Sequence, residues 1–134
     1  MSENIYADEL IDEYEHPHNK GSLSDADVHV HNDNPLCGDE LTIYVKVGGG
    51  ALKDVKFEGS GCVISMGTAG KLTESVKGKS LAEIEALGVP DIVTLIGIDP
   101  GPARLKCATL SLRTLKEAVF LYQHKAVDEA TKRL

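Results

Sequence analysis

The fold is decided by residues 41–57, which read LTIYVKVGGGALKDVKF. Apolar and polar side chains alternate over the first seven residues, a pattern typical of a strand with one buried face. Three glycines at positions 48–50 then turn the chain. Val55 and Phe57 alternate with charged residues on the returning segment. The stretch therefore predicts an antiparallel hairpin with one apolar face and one solvated face.

Upstream of the hairpin, the sequence predicts a further strand and a helix. Val28 and Val30 alternate with His29 and His31, which indicates a short strand whose histidines are exposed. Nearer the start, apolar residues recur at the i, i+3, i+4, i+7 spacing of an amphipathic helix. These residues are Ala7, Leu10, Ile11 and Tyr14.

Downstream of the hairpin, the apolar spacing becomes helical. One helix is predicted from about Cys62 to Val76. Gly67 and Gly70 each cost that helix up to ~1 kcal/mol relative to alanine, so they indicate close contact with another element.

The sequence predicts three more helices after residue 76. Ser80 and Glu83 have the spacing of a capping box, and Pro90 opens a helix over residues 91–96. The final helix carries one apolar face, made of Ala108, Leu112, Leu115, Val119 and Tyr122. We therefore predict an α+β fold, a three-stranded antiparallel sheet with helices packed on one face.

Length and charge narrow the functional classes. A chain of 134 residues suits a single domain over residues 1–134. The net charge is −7 with acids and bases interspersed, so no basic patch indicates a nucleic-acid binder. No apolar run approaches the ~20 residues of a membrane span. Residues 1–10 contain three acidic residues and no apolar signal-peptide core, so we expect a cytosolic protein.

The chain has three cysteines, Cys37, Cys62 and Cys107. An odd number in a reducing compartment argues for metal or thiol chemistry over a disulfide framework. The alternative is that they are small buried apolar side chains. Cys62 and Cys107 each fall at a predicted helix start, where unpaired N–H groups and partial positive charge favour the thiolate.

Asp39 supplies a fourth candidate ligand. It follows Cys37 by two residues, with Gly38 between them, so this loop can offer a sulfur and a carboxylate oxygen to one ion. Three thiolates and one carboxylate would complete a tetrahedral zinc site or hold a [2Fe–2S] cluster. The alternative is that Asp39 is a turn residue that caps its own backbone.

Four segments together resemble a known family. They are YADELIDEYEHPHN at 6–19, NPLCGD at 34–39, FEGSGC at 57–62 with Ser65 after it, and ARLKCATL at 103–110. In order and content they resemble IscU-type scaffolds, the family that includes SufU and the N-terminal domain of NifU. The resemblance implies a SufE/NifU-like α/β sandwich and the assembly of iron–sulfur clusters.

The resemblance also implies partners and residue roles. An IscS-like cysteine desulfurase would pass persulfide sulfur to Cys107 as first acceptor. Iron would bind among Cys37, Asp39, Cys62 and Cys107, and the [2Fe–2S] cluster would move on to apo-proteins; Zn²⁺ or Fe²⁺ alone can occupy the same positions. The chain would be a scaffold rather than an enzyme. Tyr6 matches a family tyrosine implicated in dimerisation, which implies a homodimer.

Two departures from the family leave alternatives open. Lys106 replaces the histidine that many IscU proteins carry before the third cysteine, and an ammonium has no lone pair for a metal. Lys106 is either a solvated charge or a group that balances thiolate charge near the site. Residues 103–107 are more like SufU, but the SufU insertion between the second and third cysteines is absent. A zinc-bound sulfurtransferase that relays persulfide, and a structural zinc domain, therefore remain as alternatives to the scaffold.

Overall fold

Three strands form the predicted antiparallel sheet in the order β1-β2-β3. In the computed structural model, which describes residues 5–35 and 37–134, they are β1 (Val28–Asn34), β2 (Asp39–Gly48) and β3 (Ala51–Ser60). Leu41, Ile43 and Val45 of β2 are buried and Val47 is partly buried, while the residues between them are partly exposed, as the alternation predicts. Asn34, at the end of β1, pairs with Asp39, at the start of β2. Leu36, which belongs to the NPLCGD motif, lies outside the described residues.

The helices of the described ranges cover one face of this sheet. They are α1 (Ile5–Glu15), α2 (Val63–Val76), α3 (Leu81–Glu85), α4 (Val89–Ile96), α5 (Leu105–Tyr122) and α6 (Glu129–Lys132). Helix α5 packs on β1 and β2, while α2 packs on β3 and α5, and the core lies between these layers. The predicted α+β class is confirmed. None of these helices combines the length and the apolar character that a bilayer crossing requires.

Helix α1 packs on α2 through a different edge from the one predicted. Leu10 is buried, but Ile11 and Tyr14 are exposed, and Glu13 is buried in their place. A side chain at Gly67 would meet the carbonyl oxygen of Leu10 at 2.7 Å. The expected close contact at this glycine is therefore confirmed, and it decides which edge of α1 faces inward.

The predicted capping box is present at α3, and the predicted apolar face is present on α5. Ser80 caps α3 and its backbone N–H donates to Glu83, which completes the capping box. The apolar face of α5 is buried except at its last member, Tyr122. Helix α6 has no counterpart in the predictions, since a four-residue helix is too short to show a period.

Candidate metal and sulfur site

Three of the four predicted ligands, Cys37, Asp39 and Cys107, meet where β1 ends and β2 begins, beside the start of α5. Asp39 is the first residue of β2 and is 1% exposed, whereas Cys37 lies exposed in the preceding turn. Cys107, in the first turn of α5, is 0% exposed. The Cys37 and Cys107 Sγ atoms are 3.0 Å apart. One ligand atom from each of these three residues lies within 4.8 Å of the others.

A tight turn presents Cys37 to this group. The backbone N–H groups of Cys37 and Gly38 donate to the Asn34 carbonyl at 3.1 and 2.8 Å. Gly38 has φ +73°, a left-handed conformation that favours glycine. The Cys-Gly-Asp sequence therefore places a thiol and a carboxylate on the same side of the sheet end.

The backbone of Cys62, rather than its sulfur, contacts the site. It is the N-cap of α2, and its N–H donates to Asp39 Oδ1 at 3.1 Å. Its sulfur accepts the Ser65 N–H at 3.4 Å and lies 3.6 Å from Ser65 Oγ. The Cys62 sulfur is therefore directed at Ser65 and lies outside the group of three.

Gly61 allows Asp39 to approach α2. A Cβ at Gly61 would lie 2.5 Å from Asp39 Oδ1 and 2.6 Å from Ser65 Oγ. Any side chain at this position would push the carboxylate away from the Cys62 backbone. Gly61, the second glycine of the FEGSGC motif, is thus required by the site geometry.

The two helix-start cysteines differ in acidity. Burial raises the pKa of Cys62, but hydrogen bonds from Ser65 outweigh it, so the net shift is downward as expected at a helix N-terminus. Burial raises the pKa of Cys107 well above its usual range, and the hydrogen bond to Cys37 and the Asp39 charge add to the effect. The predicted lowering of the Cys107 pKa is therefore wrong, because desolvation of the buried thiol outweighs the effect of the helix N-terminus.

Replacing Asp39 with asparagine is expected to lower the pKa of Cys107, since it removes a neighbouring negative charge. The raised pKa keeps Cys107 protonated near neutral pH, so the variant should move its alkylation profile to lower pH. We expect Cys107 to be alkylated faster in the variant than in the wild type at any given pH below the pKa, because more of the thiol is then ionised. Peptide mass spectrometry after iodoacetamide pulses on chelator-treated protein measures this rate.

The matched control for this prediction is Asp33→Asn, on an exposed acid of β1. It removes the same charge from the neighbouring strand at the same end of the sheet, and it should leave the alkylation profile of Cys107 unchanged. An unshifted profile in Asp39→Asn, or an equal shift in both variants, would contradict the role given to the Asp39 charge.

Asp39 also indicates where a cation fits. Its Oδ2 atom is buried and has no hydrogen-bond partner among the described residues. An unpaired buried carboxylate oxygen is costly, and a metal ion would satisfy it. Two sulfurs and one carboxylate oxygen, with Cys62 adjacent, form a donor set that suits zinc or iron.

Lys106 and Tyr6, the two further residues discussed with the family resemblance, contact other parts of the structure. The Lys106 ammonium donates to the backbone carbonyls of Arg133 and Leu134 at 2.6 and 2.9 Å. This favours a role in fastening the C-terminal segment over contact with a persulfide. Tyr6 lies on α1 with 47% of its surface exposed and its ring beside Gly97.

The comparisons with known proteins identify the family of the chain. The profile of the NifU-like N terminal domain matches residues 5–129. The chain belongs to this family. Its NifU-like fold is similar to a solved scaffold protein of the SUF system from Fervidobacterium islandicum AW-1, with a TM-score of 0.76, 27% identity and 89% and 99% of the two chains covered. The resemblance inferred from the four sequence segments is confirmed.

Curated relatives of this NifU-like chain fall in two groups. It is 38% identical to the zinc-dependent sulfurtransferase SufU of Bacillus subtilis, with 86% of this chain and 89% of that protein covered. It is 38% identical to the cluster assembly scaffold IscU of Thermotoga maritima (86% and 92%) and 33% identical to that of Escherichia coli K12 (90% and 95%). The chain is therefore a member of the iron–sulfur cluster assembly scaffold family.

Proposed function

We propose that this chain is a scaffold on which a [2Fe–2S] cluster is assembled and from which it is passed to apo-proteins. Cys37, Asp39, Cys62 and Cys107 hold the cargo, and Cys107 accepts persulfide sulfur from a cysteine desulfurase. The observation that carries the proposal is the Asp39 carboxylate, which groups with two sulfurs 3.0 Å apart and whose buried Oδ2 has no hydrogen-bond partner among residues 5–35 and 37–134.

The arrangement suits temporary binding. A carboxylate among thiolates is a weaker ligand for iron than a fourth thiolate, so the cargo is released more readily. Cys37 is exposed and Cys107 is buried 3.0 Å from it, so in this proposal the desulfurase reaches Cys107 from the side of the site where Cys37 lies. In this proposal the Cys62 sulfur turns from Ser65 to the iron while its N–H stays on Asp39.

The remaining roles follow from the same proposal. Residues 1–134 act as one cytoplasmic domain, and the chain works as a scaffold rather than an enzyme. The exposed ring of Tyr6 is available to a second copy in a homodimer. Lys106 holds the C-terminal segment next to the helix that carries Cys107.

A second function is favoured by a specific observation. The Cys37, Asp39 and Cys107 ligand atoms lie within 4.8 Å of one another, which suits a single zinc ion, and a relative at 38% identity is a zinc-dependent sulfurtransferase. The chain would then relay persulfide sulfur from a desulfurase without building a cluster.

Anaerobic reconstitution with a cysteine desulfurase, cysteine, ferrous iron and dithiothreitol, the reductant that converts persulfide sulfur to sulfide, tests the proposal. The scaffold predicts visible cluster absorbance, with equal iron and sulfide bound per chain. Retained zinc with persulfide on the chain and no absorbance would overturn it in favour of the sulfurtransferase. Retained zinc with no sulfur loaded, and a large loss of stability on chelation, would indicate a structural zinc domain.

A further inference from the structure

Asn34 contacts the site in three ways, although it is none of the four candidate ligands. It is the last residue of β1 and only 7% exposed. Its backbone carbonyl closes the turn that carries Cys37, and its strand partner is Asp39. Its side-chain Nδ2 lies 3.7 Å from the Cys107 sulfur.

Of these three contacts, only the one between the side-chain amide and the Cys107 sulfur requires an asparagine at position 34. Within the described residues, Asn34 provides the one side-chain N–H group that reaches Cys107 Sγ. An amide donates a hydrogen bond without carrying charge, so it supports the sulfur and leaves the ligand charges unchanged. A carboxylate of the same shape would repel a thiolate, and an aliphatic side chain would leave the sulfur without this donor.

We infer that Asn34 is a positioning residue that orients the Cys107 sulfur toward the metal and tunes its electron donation. This rests on the proposed function, in which Cys107 is a ligand. Hydrogen-bond partners of ligand atoms fix the orientation of those atoms, and a hydrogen bond to a thiolate sulfur also withdraws electron density from it. The sequence motif contained Asn34, but only the strand pairing and the position of α5 show that its amide meets Cys107.

Cobalt binding tests the inference without cluster activity. In Asn34→Leu the backbone carbonyl and the turn remain, while the N–H donor is lost. We expect Co²⁺ affinity to fall roughly 10–100-fold, the usual effect of losing a partner of a metal ligand. The thiolate-to-cobalt charge-transfer band should also move to longer wavelength, because the sulfur lone pair rises in energy.

Asn32→Leu is the matched control. Asn32 lies two residues earlier on the same strand, and its amide donates to Thr114 Oγ1 at 3.1 Å and Glu117 Oε1 at 2.8 Å. This variant should keep the wild-type cobalt band and affinity. Circular dichroism of each metal-free variant shows whether the fold is retained.

The outcomes separate this inference from the proposed function. Cys107→Ser should alter the cobalt spectrum strongly; if it does not, the ligand assignment itself fails. If Cys107→Ser alters the spectrum while Asn34→Leu binds Co²⁺ with an unchanged band and affinity, the role of Asn34 is overturned and the site stands. An equal change in Asn32→Leu would also overturn it, since the effect would then come from strand packing.

Discussion

Replacing Cys62 with alanine is expected to abolish the visible absorbance of the anaerobically reconstituted protein, as are the same changes at Cys37 and Cys107. A [2Fe–2S] cluster takes four protein ligands, and alanine offers no donor atom. We expect less than about a tenth of the wild-type absorbance in each variant, since an incomplete ligand set leaves iron open to water. Absorbance spectra with iron and sulfide analysis measure the loss.

Cys62 is the most informative of the three. The structure places the sulfurs of Cys37 and Cys107 next to each other, but the Cys62 sulfur instead accepts a hydrogen bond from the Ser65 N–H. Full absorbance in Cys62→Ala, with loss in the other two, would contradict the four-ligand proposal and limit the site to the compact group. Ser65→Ala serves as the control, because it removes the hydroxyl near Cys62 and keeps the thiol.

The sheet and the ligand loop could be predicted from the sequence because their signals are local. Alternation over residues 41–47 fixes which side of β2 is buried, and the glycines that follow fix the turn. The Cys-Gly-Asp sequence likewise carries its own turn geometry at Gly38. Short-range patterns of this kind need no knowledge of the rest of the chain.

Other features depended on contacts between distant segments. The acidity of Cys107 is set by its burial and by Asp39, which the position of Cys107 at a helix start does not reveal. The Cys62 side chain caps α2 by accepting the Ser65 N–H, and the sequence did not indicate this because cysteine is not among the preferred N-cap residues. The spacing of apolar residues in α1 predicted that Ile11 is buried. In the structure Ile11 is exposed, because α1 contacts α2 through Leu10 at Gly67.

Substituting Gly67 with alanine is expected to destabilise the fold, although the same change in an ordinary helix would stabilise it by about 1 kcal/mol. The added Cβ would lie 2.7 Å from the Leu10 carbonyl oxygen and 2.9 Å from its side chain. A backbone oxygen cannot move aside alone, so α1 must shift as a whole. We expect a net loss of about 1–3 kcal/mol in the free energy of unfolding, the usual cost of overpacking a core.

Urea unfolding followed by circular dichroism measures this loss, and Ser75→Ala is the matched control. Ser75 is an exposed residue of the same helix, so its replacement should leave stability within about 0.5 kcal/mol of wild type. A Gly67→Ala protein as stable as Ser75→Ala would mean that the α1–α2 contact yields without cost. The loss that we expect would instead show that the close packing of α1 on α2, the helix whose N-cap is Cys62, contributes to the stability of the fold.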